Sequence, residues 1–317
     1  MSLDIATPRV NGSRLHDGAD LDRVASRNVQ ASYDGSNVVF RVLRIETWGG
    51  LLTNLGYHKF RHPFVLLNLL SNHERAQRRL VMKSVDLLDV RHNHRVLDVA
   101  CGRGKSSFIV HCLHPGATVV GLDLLDDHVR VAQTVFNNVK NLSYAAGDAM
   151  DLDFPEDSFD RVMCLEAAFH FPDRARFLRE AYRVLRPGGR LVVVDFAWST
   201  DADRAHRDDP ETRAVREIWQ WNSFFSVPEY ERAAGAARFH VLSSSDWSDR
   251  VTRPTQAMFH CLSTLGNSRW GRRLLQRKNP LFRSFSAEDW EQVTCAVRAH
   301  AHVRRFSKYM AFVLEKR

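Results

Sequence analysis

The stretch VLDVACGRGKSS, Val96 to Ser107, admits two readings, and the choice between them decides the fold. Its tail, Gly104-Lys105-Ser106, ends like a phosphate-cradling loop. Its head, Leu97-Asp98-Val99-Ala100-Cys101-Gly102, reads as a buried strand entering a nucleoside-binding turn. A phosphate loop needs glycine five positions before Gly104, and Val99 stands there with a branched side chain that blocks the wrap. A G-x-G-x-x-G dinucleotide turn fails as well, because Ser107 takes the third glycine position. What remains is D-x-A-x-G-x-G, in which Asp98 ends a strand and small residues at 100, 102 and 104 permit a tight turn and close ligand approach.

Downstream, the pattern repeats strand and helix. TVVGLD (118–123) is a second strand, LSYAAGDA (142–149) a third, FDRVMCLEA (159–167) a fourth and RLVVVDFA (190–197) a fifth. Helical SSFIVHCL, VRVAQTVFNNV and RARFLREAYRVL separate them. This alternation predicts a parallel, doubly wound α/β sheet. RFHVLSS (238–244) and KYMAFVLEK (308–316) predict two further strands. Upstream, residues 73–90 carry apolar side chains at helical spacing.

Three acids fall at the ends of three consecutive strands: Asp98, Asp123 and Asp148. Open sheets bind ligands at that edge. Asp123 is suited to accept both hydroxyls of a ribose, Leu124 to lie against an adenine face, and Asp148 to accept from an adenine amino group. Helix capping explains any one of these acids but not the set.

LDVACGRG, GLDLLD, GDAMDLDFPEDSFDRV and LREAYRVLRPGGRLVVVDF together resemble the successive motifs of class I S-adenosylmethionine-dependent methyltransferases, over about residues 94–198. Within that superfamily the chain is similar to the small-molecule branch, which includes ubiquinone/menaquinone, tocopherol and rebeccamycin-type sugar methyltransferases. A weaker similarity to phthiotriol dimycocerosate methyltransferases lies in LLTNLGYHKF (51–60) and FSKYMAF (306–312). The resemblance implies S-adenosylmethionine as cofactor and a Rossmann-like methyltransferase sheet, mostly parallel with its last strand antiparallel. Together with the pattern along the chain, it divides the sequence into an N-terminal arm (1–30), a helical lid (31–90), the cofactor-binding core (91–246), a helical substrate lid (247–307) and a closing strand (308–317). It carries cofactor binding onto Asp98, Ala100, Gly102, Gly104, Asp123, Leu124, Asp148 and Ala149, with Tyr57, Leu165 and Glu166 as further contacts. Ala100 departs from the family's commoner glycine, and Lys105 is an unusual cation beside the methionine carboxylate.

EAAFHFPDR (166–174) is similar to the segment that carries a proposed catalytic histidine in the rebeccamycin-type enzymes. His170 follows the fourth strand, and Asp195 ends the fifth beside it, which suits a base with an orienting acid. The alternative is that His170 packs the following helix while Asp195 holds a loop. Tyr33, Trp219, Phe225, Trp247 and Phe259 are expected in an apolar acceptor pocket; a plain hydrophobic core is the competing account. The expected reaction is O-methylation of a bulky, partly apolar small molecule. C-methylation of a prenyl diphosphate, held by Arg269, Arg272, Arg273 and Arg277, stays open, as does a non-catalytic cofactor-binding protein.

The net charge of +8 is concentrated late: residues 250–317 hold 14 Lys/Arg against 4 Asp/Glu. Such an excess suits nucleic acid, an anionic lipid surface, an acidic small molecule or only solvent. No RRM, zinc-finger or base-methylating Asn/Asp-Pro-Pro-Tyr motif supports nucleic acid as partner. His111 and His114 have helical spacing but lack a third ligand, so no metal is expected. The five cysteines are scattered, as in reduced cytoplasmic proteins. No run suits a membrane span or secretory signal. Transient contact with a lipid surface and homo-oligomerisation are left open.

Overall fold

In the computed structural model, which describes residues 37–39, 41–42, 51–59, 73–221 and 223–317, the opening stretch is an interior strand of a seven-stranded sheet and the turn that leaves it. Strands β1 (Arg95–Val99), β2 (Thr118–Asp123), β3 (Leu142–Ala146), β4 (Phe159–Leu165) and β5 (Leu185–Trp198) run parallel. Of the last two, β6 (Phe239–Asp246) and β7 (Ser307–Lys316), β7 enters between β5 and β6, antiparallel to both. The order is β3-β2-β1-β4-β5-β7-β6.

The strands are almost continuously apolar because both faces are covered. Val96, Val119, Met163, Val192 and Val194 face α1 (His73–Leu88) and α2 (Lys105–Leu113). Leu97, Val120, Val162, Leu191 and Val193 belong to the opposite layer, with α4 (Arg174–Val184) and α6 (Val227–Ala236). Helix α3 (Asp126–Val135) flanks β2 and β3, and α5 (Pro210–Trp219) follows β5. Leu80, Val81, Val85 and Leu88 of α1 are buried against the sheet. This helix, expected within a lid, is a layer of the core, because its apolar stripe matches the sheet face.

Helix α6 had no counterpart in the sequence reading, although its start carries a local signal. Ser226 accepts from the Glu229 amide, and the Glu229 carboxylate accepts from the Ser226 amide, with a proline in the first turn. That is a capping box. Helices α7 (Thr252–Gly266), α8 (Arg269–Lys278) and α9 (Ala287–Val303) all lie between β6 and β7. They have their own small core, including Met258, Leu262, Leu275, Phe282, Trp290 and Val297. No helix among the described residues is long and apolar enough to cross a membrane. The arm expected over 1–30 and Tyr33 lie outside the described residues.

Candidate active site

The turn after β1 is held from both sides. Asp98 is 1 % exposed, and its Oδ2 accepts from Ser106 Oγ at 2.6 Å and Ser107 Oγ at 2.7 Å. Burial pushes its carboxyl up to about 6. Between Asp98 and α2, residues 100, 102 and 104 all take positive φ: 56°, 57° and 83°. Gly104 has no substitute, since a Cβ there would lie 2.6 Å from Ala132 Cβ and from the Tyr144 ring. At Gly102 a Cβ would meet nothing within 4 Å, so the backbone borders open space. Ala100 accepts the left-handed conformation at a steric cost that glycine avoids.

Asp123 at the end of β2 ties this turn to the next. Its Oδ2 accepts from the Gly102 amide at 2.8 Å; its Oδ1 meets the Leu125 amide at 3.0 Å and His128 Nδ1 at 3.1 Å. A carboxylate has about four acceptor sites, so capacity remains for a further donor. Leu124, next in sequence, is 43 % exposed. Asp148 Oδ1 accepts from the Met150 amide at 2.9 Å. Asp98, Ala100, Gly102, Asp123, Leu124, Asp148, Ala149, Leu165, Glu166 and His170 line one cavity at the carboxyl ends of the strands. Gly104 and Tyr57 do not. Gly104 shapes the turn from behind, and the Tyr57 ring packs edge-on against Trp247 with centroids 5.4 Å apart. Lys105 also stands off the wall, its ammonium 5.4 Å above the Phe108 ring.

Glu166 stands at φ 49°, accepting from the Leu55 amide and from the Tyr309 hydroxyl. Burial pushes its carboxyl up to about 8. His170 ends a 3-10 turn (Ala168–His170), is 9 % exposed, and has Nδ1 3.3 Å from the Gln220 carbonyl oxygen. Burial lowers it to about 4, so the ring is neutral near pH 7. The expected pairing of His170 with Asp195 is not formed. Asp195 is fully buried, lies 3.5 Å from Arg174 and accepts from the Phe196 amide. Arg174 in turn donates to the Ser223 carbonyl and hydroxyl, locking the end of β5 to the loop at 223. A buried arginine draws the acid more strongly than a neutral imidazole does. The cap of α4 is Asp173, which accepts from the Arg176 amide.

The model of the methyltransferase domain family matches residues 97–193. Methyltransferase GfsG of Streptomyces halstedii is 32 % identical over 236 residues, spanning 73 % of this chain and 78 % of that protein. The chain belongs to the class I S-adenosylmethionine-dependent methyltransferases. A fatty-acid O-methyltransferase of Mycolicibacterium smegmatis is 29 % identical over 248 residues, covering 77 % and 80 % of the two chains. Among solved structures, geranyl diphosphate C-methyltransferase from Streptomyces coelicolor superposes with a TM-score of 0.68 at 15 % identity, covering 92 % of this chain and 98 % of that one. That likeness concerns the fold. The cofactor of this methyltransferase is S-adenosylmethionine, and the cavity fits it. Its lining includes Asp123 and Asp148, carboxylates with spare acceptor capacity, and the exposed Leu124, a set compatible with hydroxyl and amino donors and a flat base.

A second, more apolar cavity of the methyltransferase is lined by Leu55, Phe196, Trp219, Trp221, Phe259 and Val297, with Arg304 and His300 as its ionisable members. It takes in two of the aromatic residues expected at an acceptor pocket, Trp219 and Phe259. Phe225 instead packs against Tyr230, and Trp247 joins the core beneath Tyr57. Both are half-buried rings packed against the core clusters and line neither cavity. Sequence reasoning missed Asn54, Arg103, His128, Met150 and Phe171 on the cofactor cavity wall. Of these, Arg103 lay inside the quoted turn and was legible there. One group of described residues, His206, Asp209 and His302, has donor atoms close enough to share a metal ion. Both imidazoles already meet Asp209 Oδ2, through His206 Nδ1 and His302 Nε2, and Arg305 meets the other ring nitrogen of His302 at 2.6 Å.

Proposed function

We propose that this methyltransferase O-methylates a bulky, partly apolar small molecule, with His170 as general base. The observation that carries the reading is the position of Gln220. Its carbonyl meets His170, which lines the cofactor cavity, and its neighbours Trp219 and Trp221 both wall the apolar cavity. One short segment therefore joins the base to the place where an apolar acceptor fits.

When bound, S-adenosylmethionine supplies an electrophilic methyl carbon and a neutral thioether leaving group. Asp123 holds the ribose hydroxyls, Leu124 and Ala149 border the adenine, Asp148 accepts from its amino group, and the turn at Asp98, Ala100 and Gly102 borders the methionine end. The aromatic walls exclude water and fix the acceptor oxygen, and such alignment accounts for about 7–11 kcal/mol of a barrier in favourable cases. Donation from His170 Nδ1 to Gln220 leaves Nε2 as the proton acceptor. A base of low pKa suits this reaction, since the hydroxyl proton becomes strongly acidic only as the oxygen gains its methyl group.

A second reading concerns the acceptor's charge. The arginines of α8 line neither cavity, which weakens the prenyl diphosphate alternative. Arg304 does line the apolar cavity, and its Nε has no hydrogen-bond partner. This favours an acceptor with an anionic group, such as a carboxylate. The test is incubation with methyl-labelled cofactor and host extract, followed by mass spectrometry. A labelled ether or ester is expected; label attached to carbon overturns O-methylation. Loss of acceptor affinity in Arg304→Gln, with cofactor affinity retained, supports the anionic acceptor.

A further inference from the structure

Helix α8 presents two faces of opposite character. Its inner face is closed: Leu275 is 3 % exposed, and a Cβ at Gly271 would lie 2.2 Å from the Leu265 carbonyl oxygen of α7. Its outer face carries Trp270 at 69 % exposure and, one turn on, Leu274 at 43 %. Leu281, in the 3-10 turn that follows, is 61 % exposed. These are the three most exposed large apolar side chains among the described residues of this lid; Trp270 and Leu274 share one side of α8 at a spacing of four residues, and Leu281 follows in the next turn.

Charge is equally one-sided. Residues 267–287 hold six cations, Arg269, Arg272, Arg273, Arg277, Lys278 and Arg283, and no acid. None of the five arginines enters an ion pair among the described residues. None lines either cavity, so an enclosed phosphate does not account for them. A tryptophan and two leucines exposed among unneutralised arginines match what an anionic lipid surface recognises. The rings and branched chains enter the acyl boundary while guanidinium groups stay with the head groups. A polyanion such as RNA accounts for the arginines but offers nothing to Leu274 and Leu281.

We infer that α8 and the turn after it dock the enzyme reversibly on anionic membrane surfaces. The helix packs on α7, whose Thr252, Thr255, Gln256 and Phe259 line the apolar cavity, so docking brings the region around that cavity to a lipid reservoir. The inference concerns where the enzyme works and stands whichever atom is methylated.

The test is co-sedimentation of the full chain with vesicles of phosphatidylglycerol mixed into phosphatidylcholine, against phosphatidylcholine alone. The wild type should pellet with the anionic vesicles and be released by salt. Trp270→Ala should weaken binding by about tenfold, and Arg273→Gln with Arg277→Gln by at least as much. Both sets are exposed, so melting temperatures should match the wild type and exclude misfolding. Equal partitioning into neutral and anionic vesicles overturns the inference. So does binding that needs the arginines but not Trp270 and is matched by RNA, which would mark a generic polyanion site.

Discussion

The Nδ1 atom of His170 lies 3.3 Å from the carbonyl oxygen of Gln220, a residue that closes α5 in the left-handed conformation at φ 51°. A backbone carbonyl thus does the orienting expected of Asp195, and Asp195 is left to Arg174. An amide carbonyl does not titrate, so the orientation of the ring is independent of pH.

Replacing His170 with alanine should reduce turnover by between about 10² and 10⁴, with cofactor affinity by calorimetry unchanged. Asp195→Asn should leave the pH profile in place and act on stability through Arg174. With the ring at about 4, its active neutral form prevails above that value. The rate should rise with pH up to about 5 and stay flat across neutrality. Unchanged turnover in His170→Ala would remove the base assignment.

Glu166 gives the pH dependence of stability a definite sign. Its folded value of about 8 is above its ordinary 4.5, so between those values the folded chain holds a proton that the unfolded chain lacks. The contribution of Glu166 to stability must fall as pH rises through this window. From pH 6.5 to 8 the loss on account of Glu166 should be about 2 kcal/mol, opposed in part by His58, His73 and His170, whose lowered folded values make the unfolded chain the proton binder near 6.5. Glu166→Gln should flatten that slope in urea melts; a slope identical to the wild type would show that another group titrates.

Two positions in the turn should respond in opposite directions. Ala100→Gly relieves a left-handed alanine and should stabilise by up to about 1 kcal/mol. Gly104→Ala adds a methyl at φ 83° within 2.6 Å of Ala132 and should cost about 2–4 kcal/mol. Thermal melts of the two variants decide this.

Asp123→Ala should weaken cofactor binding at least tenfold, since it removes the proposed ribose acceptor and frees the Gly102 amide it holds. Calorimetry with S-adenosylhomocysteine would read this without any acceptor. Retained affinity would point to Asp148 as the main anchor.

These sites were unequally legible in the sequence. Asp98, Asp123 and Asp148 stood out because each ends a strand, and strand ends can be counted along the chain. The cofactor half is built from consecutive segments whose local pattern fixes their position. The acceptor side is not: Leu55, Trp219, Phe259 and Val297 meet only after the helices between β6 and β7 fold back. Nothing local distinguishes Trp219, which lines that cavity, from Trp247, which does not. The Arg174–Asp195 pair was hidden for the same reason, and it removed the expected dyad. The capping box at Ser226 and Glu229 was readable, and with it α6.

The insertion of α7, α8 and α9 between β6 and β7 has an evolutionary meaning. Those strands are antiparallel neighbours, so the helices leave and rejoin the sheet side by side, at the margin opposite β3. Insertions, deletions or rotations there need not propagate to β1 and β2, whose ends line the proposed donor site. On the proposed function, a lineage with this architecture could vary the lid share of the acceptor wall while inheriting its donor site intact, which makes the lid the module to graft when redirecting the enzyme to a new substrate.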